Sequence, residues 1–366
     1  MASNTKSAIL AQHRANADLN TPLLPQVARD DSDLAADGMC APLDERIIAA
    51  ASAALENGQT HYVDVPGIGP LRAAVADYLK SVAGAHYRAG NVVITAGVQE
   101  SRFLSIQMIG VQYDSIALPA VVHPGVRKAL GVRGRNPRTM PVDPAQGYLP
   151  SIDAIVQAAA DGCRLFYLES PSRLSGAAYA ADEVAAISQI IADNDAAVIW
   201  DQGLASWVEG AYASAAALDS DCARAAVIGE AYSGMGLASW FVGYIAAPEA
   251  WVSSMQSQKQ IMAICTSTAS QYAALEAGQL YTEARGRQLS RLARLRTDLL
   301  GAAGEAGLTV VGGEAVNIIA LKLSEDNMKK ISRAGIDFAA GSLFGAPDVI
   351  RLNVNHSTAA ALTALN

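Results

Sequence analysis

The stretch Ala197-Val-Ile-Trp-Asp201 is a short run of apolar residues that ends in an acid. Similar apolar or β-branched runs lie on both sides of it in the chain, and each is followed by apolar residues at helical spacing. This alternation is typical of an α/β fold with a mostly parallel sheet covered by helices. The predicted strands are Val92–Thr95, Ser115–Leu118, Arg164–Leu168, Ala196–Trp200, Ala225–Gly229 and Val242–Ala246.

The flanking segments predict a second, smaller α+β domain. Residues 283–306 have the pattern of a long amphipathic helix rich in arginine, and strand-like runs follow at 308–311, 316–323 and 349–354. We find neither an internal repeat nor a low-complexity linker. We therefore expect an N-terminal segment (1–55) that contributes to the small domain, a large α/β domain (56–282) and a C-terminal small domain (283–366).

Composition excludes several classes of protein. The chain has 366 residues, a net charge of −8 and no basic stripe, which argues against nucleic acid as a partner. No stretch approaches the roughly 20 apolar residues of a membrane span, and the first thirty residues lack the apolar block of a secretory signal. The four cysteines form no Cys-x-x-Cys pair, so they are interpreted as buried thiols of a reducing cytoplasm.

Five segments, in order between about residues 60 and 355, carry a resemblance to a known family. One of them, Ile94-Thr-Ala-Gly97-Val98-Gln-Glu100, is a strand that enters a helix through a glycine, which points free backbone N–H groups at an anion. Together the segments resemble the class I/II aminotransferases, which are fold-type-I pyridoxal-phosphate enzymes. The other four are Tyr62-Val-Asp-Val-Pro-Gly67-Ile-Gly-Pro-Leu71-Arg72, Leu118-Pro-Ala-Val-Val-His123-Pro124-Gly125, Ala197-Val-Ile-Trp-Asp201, and Gly341-Ser-Leu-Phe344-Gly345 with Val349-Ile-Arg351-Leu-Asn353.

The resemblance implies roles for the matching residues. Asp201 corresponds to the aspartate that keeps the cofactor's pyridine nitrogen protonated, and His123 to the aromatic residue that stacks on the ring. Arg351 corresponds to the arginine that grips a substrate carboxylate, a task that suits its planar fork. Gly97 and Val98 correspond to the turn that holds the cofactor phosphate. Tyr62 corresponds to a tyrosine that reaches the phosphate in the neighbouring subunit, so the resemblance implies a homodimer.

The chain departs from the family where the cofactor is attached. The lysine motif falls on Glu230-Ala-Tyr-Ser233-Gly-Met-Gly-Leu-Ala-Ser-Trp240-Phe241-Val-Gly243-Tyr244. In this register Ser233 stands at the Schiff-base lysine, Phe241 at a phosphate-binding arginine and Glu230 at a phosphate-binding serine. No lysine lies between Asp201 and Tyr244. Two further ligands of the cofactor ring are replaced, one by Arg173 and one by Leu204.

These substitutions change the available chemistry. Serine forms no stable imine and is a poor base, so it cannot replace the lysine. Each charge change beside the phosphate is worth on the order of a few kcal/mol at an effective dielectric near 20. Five substitutions around one cofactor predict a pocket that has been reassigned.

Three functional hypotheses remain open. The first is an aminotransferase-like enzyme that acts on a small carboxylate-containing, amino-acid-like substrate in the former cleft without an internal aldimine. It assigns acid–base roles to His123, Asp201, Glu230 and Tyr232, and substrate binding to Arg173, Arg351 and Gly38. His123, Asp201 and Glu230 are also candidate ligands for a divalent metal.

The second hypothesis keeps pyridoxal or pyridoxamine phosphate bound non-covalently, through Tyr62, Gly97, Val98, His123, Asp201 and Ser233. The third is a non-catalytic ligand-binding or regulatory homologue. In every case the expected partners are a small carboxylate and a second copy of the chain. Lys259 is expected to be solvated or to lie at a subunit interface.

Overall fold

The structure is a computed structural model that describes residues 44–132, 137–217, 222–237, 242–333 and 338–355, together with residues 219, 240, 336, 358 and 362. Two residues of the sequence predictions, Gly38 and Phe241, lie outside the described residues.

The α-helices follow the expected alternation with strands. The first begins at Asp44, whose side chain accepts the Arg46 N–H. The second carries Pro70 in its first turn and ends at Gly84 in the left-handed region, where glycine has no steric penalty. The helices are α1 (Glu45–Glu56), α2 (Gly69–Ala83), α3 (Gly97–Ile109), α4 (Pro124–Gly131), α5 (Ile152–Ala160), α6 (Ala181–Asp193), α7 (Glu249–Met262), α8 (Thr268–Glu305) and α9 (Glu325–Arg333).

A seven-stranded sheet forms the centre of the molecule, in the order β1-β7-β6-β5-β4-β2-β3. Strand β7 is antiparallel to β1 and β6, and the remaining pairs are parallel. The strands are β1 (Val92–Ala96), β2 (Ile116–Pro119), β3 (Arg138–Met140), β4 (Leu165–Glu169), β5 (Ala197–Asp201), β6 (Ala225–Glu230) and β7 (Val242–Ala246). The predicted mostly parallel sheet is therefore confirmed.

Both faces of this sheet are covered, because alternate side chains of each strand enter different apolar cores. In β5, Val198 and Trp200 pack with residues of α1, α2, α5, α6 and α8. Ala197 and Ile199 point the other way and pack with residues of α3, α4 and α7. This period of two explains why the strands contain almost no polar residue until their last position.

A four-stranded antiparallel sheet, in the order β10-β11-β9-β8, forms the smaller unit. Its strands are β8 (Thr309–Val311), β9 (Ile318–Lys322), β10 (Ala339–Ala340) and β11 (Val349–Asn353). Helix α8 runs continuously across the predicted domain boundary at 282/283 and packs its last turns against this sheet through Leu299 and Ala303. The domain limits themselves stay a prediction. Within the described residues, no helix is long and apolar enough to cross a membrane.

Candidate functional site

Three acidic residues mark the carboxyl edge of the large sheet. Glu169, Asp201 and Glu230 are the last residues of the neighbouring strands β4, β5 and β6. Glu169 and Asp201 are direct partners in the parallel register. Ligands of open α/β sheets bind outside this edge, so the fold places the candidate site here.

Asp201 is fully buried and its two carboxylate oxygens are occupied. Oδ2 accepts from Arg102 Nε at 2.9 Å and lies 2.8 Å from Arg102 Nη2, and it also accepts from the Tyr167 hydroxyl at 2.8 Å. Oδ1 accepts from the Gly203 N–H at 3.0 Å and lies 3.6 Å from Arg173 Nη2. Burial raises the pKa of Asp201, but Arg102 and Arg173 outweigh it and bring the pKa to about 2.

Arg102 is a site residue that the sequence predictions missed. It lies in the second turn of α3 and is 2% exposed. Burial lowers its pKa, but Asp201 more than compensates, so the pKa is raised and the guanidinium stays charged. A signal existed in the sequence, because Arg102 shares a helical face with Ile106 and Ile109, which are buried. A charge on an apolar stripe requires a buried partner.

Arg173 connects the acids of the site. Both of its terminal nitrogens face Glu230 Oε1, at 3.3 and 3.4 Å. Its backbone N–H donates to Glu169 Oε2 at 3.3 Å, and its carbonyl accepts from Arg351 Nη1 at 3.0 Å. The guanidinium packs so closely on Gly203 that a Cβ there would lie 1.7 Å from Nη2. The predicted grouping of Arg173 with Arg351 is thus present.

Glu230 and Ser233, which the sequence analysis places in the lysine motif of the family, form a hydrogen-bonded pair. The Ser233 hydroxyl donates to Glu230 Oε2 at 2.9 Å. The Glu230 side chain is 18% exposed, whereas that of Asp201 is inaccessible. Glu230 is therefore a carboxylate of this site that solvent can reach.

Tyr232 is the predicted acid–base residue that the structure does not bring to the others. Its ring is buried and packs edge-on against Tyr78 and at a tilt against Tyr281, with centroid distances of 5.7 and 5.4 Å. Its hydroxyl approaches Gly278 of α8, where a Cβ would lie 2.7 Å away. Burial raises the pKa of Tyr232 further above its usual value, so it packs as a core residue.

His123 reaches the site but lacks the properties of a base. Its Nδ1 accepts the Gly125 N–H at 3.1 Å and so caps α4. Burial lowers the pKa of His123 well below its usual value, and Arg102, Arg173 and Arg351 lower it further. The imidazole is therefore neutral with its proton on Nε2, and it stands edge-on to Phe344 at 6.0 Å.

Glu169 is the second residue that the sequence predictions missed. It is 4% exposed, and its carboxyl accepts the His123 N–H at 2.9 Å and the Arg173 N–H at 3.3 Å. Burial first and Asp201 second raise the pKa of Glu169 to about 7. The predicted strand ended at Leu168, one residue too early. The signal was the same as for Asp201, an acid directly after an apolar run.

Arg351 enters the site from β11 of the smaller sheet. It is 1% exposed, donates to the Arg173 carbonyl and lies over the Phe344 ring at 5.5 Å from its centroid. Residues of both sheets therefore meet at the site, and the substrate-binding role of Arg351 stays a prediction.

The start of α3 is bonded to a carboxylate of the same helix, that of Glu100. Gly97 has a φ of +73°. The Glu100 carboxylate accepts the N–H of Ala96, which lies one turn earlier in the chain. Lys259 is fully buried and donates to both Glu100 oxygens, at 2.8 and 3.0 Å. The expectation that Lys259 is solvated is therefore wrong. Gly97 and Val98 do begin the helix, as predicted for an anion-binding turn.

Comparison with known proteins decides the family. Residues 32–366 match the family described as Aminotransferase class I and II. The chain belongs to this family. A probable aspartate/prephenate aminotransferase of Aquifex aeolicus is 24% identical over 325 residues, which cover 82% of this chain and 80% of the relative. An aspartate aminotransferase of Bacillus sp. (strain YM-2) is 23% identical over 328 residues, with coverages of 84% and 83%.

Solved structures of aminotransferases share the fold. The Thermus thermophilus aspartate aminotransferase double mutant superposes with a TM-score of 0.82 at 19% identity, covering 89% of each chain. The aromatic aminotransferase from Pyrococcus horikoshii OT3 gives 0.82 at 20% identity, covering 89% of this chain and 91% of that one. The predicted fold-type-I architecture is confirmed.

Aminotransferases of this family normally use pyridoxal phosphate, and the residues of this member do not fit that cofactor. The carboxylate that would face the pyridine nitrogen is held by Arg102 and Tyr167. In the register of the sequence analysis, the residue expected at the lysine position is Ser233, and its hydroxyl donates to Glu230. In the same register Glu230 is expected beside the cofactor phosphate, where a carboxylate would repel a dianion. Non-covalent binding of the cofactor through Asp201 and Ser233 would meet the same obstacle, because both side chains already have partners within the chain.

The predicted metal ligands are not arranged as a metal site. Asp201 is paired with arginines, and Glu230 is paired with Arg173 and Ser233. Among the residues described, no group of three or more His, Cys, Asp or Glu side chains is placed to hold a metal ion. The arrangement supplies buried guanidiniums and two further carboxyls, those of Glu169 and Glu230.

Proposed function

We propose that this aminotransferase-family chain is an enzyme that acts on a small carboxylate-bearing, amino-acid-like substrate in the former cofactor cleft without an internal aldimine. Relatives named aspartate and aspartate/prephenate aminotransferases support the substrate class. One observation carries the proposal: Arg102 and Tyr167 both donate hydrogen bonds to the carboxylate of Asp201. Asp201 therefore pairs with a neighbouring guanidinium instead of with a pyridine ring.

Arg351 and Arg173 hold the substrate carboxylate in this proposal. Both are buried at the meeting point of the two sheets, where a guanidinium interacts more strongly than in water. The contacts from Arg173 to Glu230 are long, 3.3 and 3.4 Å, compared with the 2.7–2.9 Å of a strong charge-assisted bond. A substrate carboxylate can therefore replace Glu230 beside Arg173 at low cost.

Glu230 is the proton acceptor. Displacement from Arg173 leaves its carboxylate with the Ser233 hydroxyl as partner and with access to solvent. Glu169, whose pKa is about 7, is about half protonated at pH 7 and lies next to the backbone of His123 and Arg173. The neutral His123 ring and Phe344 form an apolar wall that limits the entry of water.

We further infer that the chain works as a homodimer in the cytoplasm. Tyr62, which the resemblance places at a subunit crossing, is 78% exposed in the single chain, and a partner subunit would cover it.

The test is the exchange of an amino-acid α-proton with deuterated water, followed by NMR for a panel of amino acids without added cofactor. We expect exchange with at least one acidic amino acid, and a loss of about a hundredfold or more in Glu230→Gln, since a positioned base contributes about 10²–10⁴-fold. The matched control is Glu209→Gln, because Glu209 is an exposed glutamate. The control is expected to exchange at the parent rate.

Three results would contradict the proposal. Equal exchange in Glu230→Gln and the parent would remove Glu230 as the base. Exchange that appears only after addition of pyridoxal phosphate would favour the non-covalent cofactor hypothesis. Binding of an acid by calorimetry with no exchange for any amino acid would contradict the enzyme and leave a ligand-binding homologue.

A further inference from the structure

A separate cavity of about 220 Å³ lies behind the loop that carries Ser233. Its walls come from the start of α1, the loop after β6 and one face of α8. This space has room for several waters or one small organic molecule. The lining residues are Asp44, Gly234, Met235, Ala284, Arg287, Gln288 and Arg291.

The face of α8 that lines the cavity contains two arginines one helical turn apart. Side chains at positions i and i+4 leave the helix about 5–6 Å apart on one face, so Arg287 and Arg291 point to neighbouring parts of the cavity. The small side chain of Ala284 leaves space one turn before them. The two guanidiniums form a pair of separate anion-binding positions.

Both arginines are available to a ligand. Arg287 pairs with Glu283, but both side chains are exposed, at 65% and 81%, and such surface pairs contribute little. Arg287 is also close enough to Asp44 to help lower the pKa of that carboxyl, although less than Arg46 does. Arg291 makes no hydrogen bond or ion pair with another described residue. An anion that enters therefore competes only with weak interactions of Arg287.

The remaining walls of the cavity are fixed. Gln288 Nε2 donates to the Gly234 carbonyl at 2.8 Å, which joins α8 to the loop. Trp207 packs so closely on Gly234 that a Cβ would lie 2.5 Å from its ring. The Asp44 carboxylate, whose pKa is lowered to about 2 by hydrogen bonds from Arg46, is occupied by that residue. The cavity therefore has a preformed shape with a net positive lining.

We propose that this cavity binds a small dicarboxylate, with one carboxylate on Arg287 and the other on Arg291. Arginine meets a carboxylate through two parallel N–H donors, and two such forks one helical turn apart match a short, flexible diacid. A bound diacid contacts Gly234 and Met235, the two residues that follow Ser233 in the loop after β6. The site is distinct from the carboxylate position between Arg173 and Arg351.

The experiment is labelling of the full chain with phenylglyoxal, which modifies accessible arginines, with peptide mapping by mass spectrometry. Succinate is the probe, and acetate is the monoanion control. We expect both Arg287 and Arg291 to be modified without succinate and protected with it. Arg294, which is exposed on the same helix outside the cavity, is expected to react equally in both conditions.

Two variants measure how much Arg291 contributes to the binding of succinate. Arg291→Ala should weaken protection of Arg287 by succinate about tenfold to a hundredfold, because a hydrogen bond to a charged group is worth about 1.5–3 kcal/mol. Arg294→Ala should leave it unchanged. Three results would overturn the proposal: no modification of Arg291 without succinate, equal protection by acetate, or unchanged protection in Arg291→Ala. The mapped peptides report only on the arginines of α8. Failure of the cleft between Arg173 and Arg351 to bind a carboxylate would therefore leave this result unchanged.

Discussion

Arg102 determines what Asp201 can do. A carboxylate at the end of a central strand is available to a ligand only if its oxygens are free, and in this chain a guanidinium reaches Oδ2 with two nitrogens. The pair is buried at the floor of the cleft, where removal of one partner leaves an uncompensated charge. Arg102 therefore couples stability and site chemistry in one interaction.

This coupling predicts the effect of Arg102→Met. The variant should lose about 3–5 kcal/mol of unfolding free energy, the usual cost of breaking a buried ion pair from one side. Arg102→Met/Asp201→Asn should recover part of the loss, because the buried charge is removed. Urea unfolding measures both, and the exposed Arg294→Met should change by less than about 0.5 kcal/mol. A loss below 1 kcal/mol in Arg102→Met would show that the pair is not buried in this way.

The raised pKa of Glu169 predicts that the free energy of unfolding depends on pH. The pKa is about 7 in the folded chain, compared with an ordinary value of 4.5, so between these values the folded state holds a proton that the unfolded state has lost. Stability contributed by Glu169 is complete below pH 4.5 and falls as pH rises, by on the order of 3 kcal/mol in total by pH 8. Urea unfolding at pH 5 and pH 8 should show this fall in the parent and not in Glu169→Gln. An equal change of unfolding free energy between pH 5 and pH 8 in the parent and in Glu169→Gln would contradict the raised pKa.

Much of the site could be predicted at the residue scale, because strand ends and motif spacing are visible in the sequence. Asp201, Arg173, Glu230, Ser233 and Arg351 meet as expected. What the sequence could not supply were contacts between distant segments. Arg102 and Asp201 are 99 positions apart, and Glu169 bonds to two loops. Tyr232 was misjudged because its ring turns towards α8.

At the scale of elements, apolar runs predicted the large sheet to within one residue at each strand end, because each run is buried on both faces. Two strands were missed. Strand β3 has two exposed residues of its three, and β10 has two residues in all. The predicted helix 283–306 is the second half of α8, which begins at Thr268. Its first half is rich in alanine and glycine, so apolar periodicity is weak there.

The close contact between β7 and the start of α3 predicts that alanine at Gly243 and alanine at Gly286 change stability in opposite directions. A Cβ on Gly243 would lie 2.6 Å from the Gly97 carbonyl carbon, whereas a Cβ on Gly286 of α8 would meet nothing within 4 Å. Gly243→Ala should therefore destabilise by about 1–3 kcal/mol through overpacking. Gly286→Ala should stabilise by about 0.5–1 kcal/mol, since alanine favours a helix. Thermal unfolding compares them, and equal effects would contradict the close contact.

At the scale of the molecule, the chain has the aminotransferase fold, and ion pairs cross the cleft at the carboxyl edge of its large sheet. The smaller sheet contributes Arg351 and the large sheet contributes three acids, so the cleft still joins the two units. These ion pairs and hydrogen bonds are internal to the chain, and they hold the cleft in one arrangement.

The direct test of this account is titration of the full chain with pyridoxamine phosphate by calorimetry, with pyridoxal phosphate followed by visible absorbance in parallel. The account predicts no saturable binding of pyridoxamine phosphate at millimolar concentration and no aldimine absorbance from the cleft. Saturable binding at micromolar concentration, lost on Asp201→Asn, would contradict the claim that Arg102 and Arg173 have taken the place of the cofactor.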